Sequence, residues 1–143
     1  MAKNLKNIEV LFIAGFGPIT RDQETSKELY ADALGISFEE MDNGYLHTGE
    51  VEGVKYSALW PLSQAAESCF GSSEWPKDLP IPQTWLEFDV ENTDLATEEL
   101  KQLGYGLLVS ARKEPWGQTV SRFLSPEGIL VAVTHSPWMR ETK

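Results

Sequence analysis

The chain has 143 residues, 41% of them hydrophobic, with 22 acidic against 12 basic residues and a formal net charge of −10. This length and apolar fraction suit a single domain, 1–143, with a core of its own. The acidic balance excludes a nucleic-acid partner, which needs a basic face, and an anionic membrane surface, while a cationic ligand stays compatible with it.

The N-terminal stretch MAKNLKNIEVLFIAGFG carries two lysines before an apolar run. Glu9 interrupts the run and no small-x-small cleavage pattern follows, so no signal peptide is expected. No stretch reaches the roughly 18 apolar residues of a spanning helix. Ile8 to Ile19 reads as a strand broken near its end by Pro18. Asp22 is a helix N-cap, and Ser26, Leu29, Tyr30, Ala33 and Leu34 fall on one helical face before Gly35 stops it. Asn43-Gly44 predicts a two-residue hairpin, and a strand follows from about Val54 to Trp60. Four prolines mark 61–83 as a linker, with a short helix around Ser63–Phe70. Cys69, within it, is the only cysteine. It reads as a small buried hydrophobe, and the lack of a possible intrachain disulfide suits a cytoplasmic protein.

The order then repeats. TWLEFDV is a strand, Asn92 or Thr93 caps a helix with Ala96, Leu100 and Leu103 on one face, and Gly104 ends it. GLLVSA, QTVSRFL and ILVAVTH are strands, the last two joined by Ser125-Pro126-Glu127-Gly128 with type I turn preferences. The caps Asp22 and Asn92 stand 70 residues apart, the stops Leu34-Gly35 and Leu103-Gly104 69 apart, and the turns Glu52-Gly53 and Glu127-Gly128 75 apart. An internal duplication follows: one βαβββ module at 8–60, the linker at 61–83, and a second βαβββ module at 84–137.

RDQETSKELYADALGISFEE is similar to the Asp-x-x-x-Ser-x-x-x-Tyr…Leu-Gly run of the vicinal oxygen chelate superfamily. RFLSPEGILVAV resembles its Asp-Pro-x-Gly turn and last strand, with Ser125 in place of the aspartate, and EPWGQTV resembles the approach to that turn. The superfamily groups glyoxalase I, extradiol dioxygenases, fosfomycin-resistance enzymes and bleomycin-resistance proteins. The resemblance spans roughly 8–137 and implies an α+β fold: two βαβββ modules forming a curled mixed sheet cup around one site.

The resemblance also implies where the metal enzymes of the family hold their ion. Counting from the matched motifs places those positions at Gly15, at Ser57 or Ala58, at Trp85 and at Ala132. None is a carboxylate, imidazole or thiolate ligand. Gly15 then reads as a vacated ligand position and Trp85 as filling the volume of the metal. Such a loss most resembles the bleomycin-resistance proteins, which bind their drug without altering it.

Glu87 shares a strand face with Trp85. Inside the cup it would read a ligand cation or act as a base. Trp60 and Trp116 are further candidates for an aromatic wall, with Tyr45 and Tyr56 as weaker ones. His47 and His135 read as ordinary rim histidines on different faces. The expected ligand-binding set is therefore Trp85, Glu87, Trp60, Trp116, Gly15, Tyr45 and Ala132, with no catalytic residue, no metal ligand and no cofactor. The expected function is metal-free binding of an aromatic or cationic small molecule in a Trp-lined cup. One alternative is a glyoxalase-like lyase, isomerase or dioxygenase-type enzyme with non-standard metal ligands or Glu87 as base. Another is an assembly module whose cup is collapsed around its own tryptophans. A homodimer is expected, because curled sheets leave edges and apolar surface to cover.

Overall fold

The computed structural model of the chain describes residues 8–140. Eight strands make one mixed sheet: β1 (Val10–Thr20), β2 (Glu39–Glu40), β3 (Leu46–Thr48), β4 (Ser57–Pro61), β5 (Thr84–Val90), β6 (Val109–Lys113), β7 (Thr119–Leu124) and β8 (Leu130–His135). Their order across the sheet is β2-β3-β4-β1-β5-β8-β7-β6. That order is a palindrome. The first strands of the two repeats, β1 and β5, meet antiparallel at the centre, and each holds the last strand of its own repeat in parallel on its other side. The helices are α1 (Gln23–Lys27), α2 (Leu62–Phe70), α3 (Thr93–Gln102) and α4 (Pro137–Arg140). No helix among the described residues is long and apolar enough to cross a membrane.

The helix caps form as their residue types require. The Asp22 carboxylate accepts from Thr25 N, which holds its pKa below the usual carboxylate value, and Asn92 Oδ1 accepts from Leu95 N. The helix capped by Asn92, α3, buries Thr93, Ala96, Thr97 and Leu100, with Ala96 and Leu100 packed against Val90 and Val133. Its counterpart differs from the sequence expectation. After Lys27 the helix widens into a π-helical stretch, Glu28–Ala33, in which Leu34 N donates to Leu29 O. A stripe spaced for 3.6 residues per turn no longer falls on one line in this wider coil. No residue of Gln23–Ala33 is buried, and Leu29 and Leu34 are 49% and 61% exposed.

Two turns refine the sequence reading. The hairpin at Asn43-Gly44 has three turn residues, with Met41 N donating to Tyr45 O, Gly44 N to Met41 O, and Gly44 at φ +86°. At 125–128, Gly128 N donates to Ser125 O, and the Ser125 hydroxyl accepts from Ile129 N as an aspartate would. Pro18 does not break β1. Phe16 N donates to Tyr56 O and Ile19 N to Gln83 O, so by alternation the missing N–H of Pro18 falls on the β4 side. There the ladder register passes from Phe16↔Ser57 to Ile19↔Trp60.

The two glycines of β1 answer to close neighbours. A Cβ on Gly15 would lie 2.7 Å from Tyr56 O and 3.1 Å from the Trp85 ring; one on Gly17 would strike the Ala58 carbonyl and lie 3.0 Å from Trp85 Nε1. Neighbouring backbone cannot yield cheaply to either contact. Gly17→Ala should therefore lower stability by about 1–3 kcal/mol, measured by urea unfolding. An unchanged midpoint would show that β4 moves aside freely.

Candidate functional site

One face of the central sheet, α2 and α4 enclose a cavity of about 780 Å³. Side chains two residues apart share a strand face, so Trp85, Glu87 and Asp89 of β5 point to the same side. The neighbouring strands supply small residues beside them. Across the sheet, Gly15, Glu87, Ala132 and Arg122 stand in one row, and Gly17, Trp85 and Leu130 in the next. With only a methyl group at Ala132, Glu87 and Arg122 reach each other over β8. Their side chains approach to 3.2 Å, Arg122 Nη1 to Glu87 Oε2, and both are nearly buried. Glu87 Oε1 also accepts from Gln118 Nε2, which is shared with Ser136 Oγ, while Gln118 Oε1 accepts from Trp116 Nε1.

Above this ion pair stand aromatic rings. Trp60 meets Trp85 edge-on at 6.3 Å, and the Arg122 guanidinium lies 4.8 Å from the centre of a Trp60 ring. Trp85 Nε1 donates to Ala58 O. On the first repeat, His47 stacks between Tyr45 and Tyr56, whose hydroxyls are 2.6 Å apart. Trp116 lies at the mouth, 60% exposed, and Trp138 and Met139 of α4 complete the lining. The short α4 is held from below. Asp89, fully buried, accepts from Thr134 Oγ1, Ser136 N and Arg140 Nε, and Arg140 also donates to Val90 O.

The expected site residues are thus brought together, in unequal roles. Trp85, Glu87, Trp60, Trp116 and Tyr45 line the cavity. Gly15 and Ala132 do not: they lie beneath Trp85 and beneath the Glu87–Arg122 pair, and they contribute by being small. Glu87 is not a free charge reader, because Arg122 and Gln118 already engage it. Tyr56, just before β4, and Trp60 within it line the cup, which by alternation puts Ala58 on the cup face; Ser57 instead donates its hydroxyl to Phe16 O. Trp60, Trp85, Trp116 and Trp138 line the cavity, while Trp75 packs in the core against Phe70. Cys69 is buried against this core, and burial raises its thiol pKa above the ordinary value. His47 belongs to the wall rather than the rim. Its signal was alternation with Tyr45 in YLHT.

Burial pushes the Tyr45 hydroxyl above the usual tyrosine range, with Tyr56 adding to the effect, and pushes Tyr56 up to about 12. Both phenols hold their protons more tightly folded than unfolded. Their contribution to stability is complete below about pH 10; that of Tyr56 is lost as pH rises through about 12, while that of Tyr45 goes on declining above it. Unfolding free energy should fall across that window, and less steeply in a Tyr45→Phe/Tyr56→Phe variant; equal slopes would refute the assignment.

The sequence model of the Glyoxalase/Bleomycin resistance protein/Dioxygenase superfamily matches residues 16–133. The chain belongs to this superfamily. No curated protein matches it in sequence. Among solved structures, it is similar to a superfamily member from Vibrio splendidus, with 14% identity, TM-score 0.56, 90% of this chain and 99% of that chain covered. It is also similar to methylmalonyl-CoA epimerase from Streptomyces coelicolor in complex with 2-nitronate-propionyl-CoA, with 14% identity, TM-score 0.52, 90% of this chain and 96% of that chain covered. At this identity the likeness is one of fold.

As a glyoxalase-superfamily cup, this one has a donor set that does not suit a metal. Gly15, Ala58, Trp85 and Ala132 offer no carboxylate, imidazole or thiolate at the positions implied for the ion, and a Trp ring covers Gly15. Among the described residues, no three His, Cys, Asp or Glu side chains converge as a metal would require.

Proposed function

We propose that the cup binds a planar aromatic small molecule through its own side chains, without a metal and without transforming it. The observation that carries this reading is the cavity itself: about 780 Å³, walled by Tyr45, Tyr56, Trp60, Trp85, Trp116 and Trp138, with Glu87 and Arg122 already paired inside it. Aromatic rings gain most from stacking and edge contacts with other rings. Its pairing with Arg122 makes Glu87 a weaker attractor for a cation, so the reading rests on the rings. Intrinsic tryptophan fluorescence, titrated with naphthalene-sized aromatics and their saturated counterparts, tests the reading. Aromatics should bind at least about tenfold tighter and be recovered unchanged. Equal affinity for the saturated compounds, or a chemically altered ligand, would contradict it.

The same proposal includes a homodimer. Ile13 and Phe16 of β1 are each 49% exposed, as is Leu29 of the first helix. Apolar surface of this kind is commonly covered by a partner. Sedimentation should show a dimer at micromolar concentration; a monomer would contradict the proposal.

A further inference from the structure

Arg122 carries more hydrogen-bond donors than its surroundings accept. Its side chain is 5% exposed, yet Nε and Nη1 have no hydrogen-bond partner, although Nη1 lies 3.2 Å from Glu87 Oε2. Guanidinium has five N–H donors and no acceptor, and a buried donor left unpaired is unfavourable. The donors nearest the ion pair are committed: Trp85 Nε1 to Ala58 O, Trp116 Nε1 to Gln118, and Gln118 Nε2 to Glu87 and Ser136. The polar end of the cup therefore has donors to spare and lacks an acceptor.

The charges of the lining decide what kind of acceptor. Glu67, Glu87 and Glu114 face Arg112 and Arg122, and Arg112 is bound to Glu114 at 2.8 Å and to Ser68. The wall is thus slightly negative, and both of its guanidinium groups already have a carboxylate. A further anion would meet Glu87 at close range, which is costly where water is excluded. An uncharged oxygen escapes that repulsion and still accepts from Arg122.

We propose that the cup recognises an uncharged carbonyl-type oxygen on its aromatic ligand, with Arg122 as the donor. This rests on the reading of the cup as an aromatic binding site. Arg122 lines the cavity and its guanidinium lies over Trp60, so a ring held against Trp60 brings its oxygen beside that group. Trp60 and Trp85 then hold the rings while Arg122 fixes their orientation.

Four probes of matched ring system test the proposal by calorimetric titration: acetylnaphthalene, ethylnaphthalene, naphthoate and naphthylmethylammonium. The ketone should bind about tenfold tighter than the hydrocarbon and tighter than either ion. In the double variant Glu87→Gln/Arg122→Met, which leaves no charge unpaired, the ratio of ketone to ethylnaphthalene affinity should fall to about one, whatever change the two probes share. Three results would overturn the proposal while sparing the aromatic cup: equal binding of ketone and hydrocarbon, tighter binding of naphthoate or the ammonium probe, or a ketone advantage that survives the double variant. Failure of all four probes to bind would overturn the aromatic cup and this proposal together.

Discussion

Asp89→Ala is expected to lower the unfolding free energy by about 3–5 kcal/mol, the usual cost of removing one partner from a buried ion pair. Asp89 is fully buried and is the acceptor for Thr134, Ser136 N and Arg140. Its removal leaves the Ser136 N–H without a partner and Arg140 with only the Val90 carbonyl at the foot of α4. That helix carries Trp138 and Met139 into the cup lining, so the loss should reach the site as well as the fold. Urea unfolding measures the first effect, and the fluorescence response to an aromatic ligand measures the second. A loss under about 1 kcal/mol, with ligand response intact, would mean that other contacts hold α4.

Arg122→Met should cost a similar amount, about 3–5 kcal/mol, because it leaves Glu87 charged and unpaired beneath Trp60. Adding Glu87→Gln should restore at least half of that loss. The neutral amide keeps a hydrogen bond to Gln118 within reach, and the methionine fills most of the arginine's volume. The double-mutant cycle would then show a coupling well above the roughly 0.2–1 kcal/mol of exposed pairs. Purely additive losses would show that Glu87 and Arg122 are neighbours without energetic linkage.

Much of the fold was legible because its signals are local. Asp22 and Asn92 cap helices through their own side chains, and Gly35, Gly104 and Gly128 adopt the positive φ that their turns require. The π-helical stretch was not legible, since the residues of ELYADA also satisfy an ordinary helical stripe. The site was legible where alternation applies: Trp85 and Glu87 face the cup because they stand two apart on one strand. Arg122 escaped notice because a lone arginine in a strand reads as outward-facing. Its position between Val120 and Leu124 in TVSRFL was the available signal. The pairing of Asp89 with Arg140 joins residues 51 apart in sequence, and no local pattern announces it. A tryptophan does stand over Gly15 and Gly17, but the backbone at Tyr56 and Ala58 crowds them still more closely. Restoring a metal ligand through Gly15→His would therefore strain the sheet before it could bind an ion.

We propose that this cup works through aromatic rings and one buried ion pair, with Trp85 and small residues standing at the positions that the family resemblance implies for an ion. Calorimetric titration of the chelator-treated protein with acetylnaphthalene, repeated after adding an excess of zinc, manganese, nickel or cobalt, tests it most directly. The account predicts the same affinity throughout, within about twofold. Binding that appears or tightens by about tenfold only when one of these metals is present would contradict it.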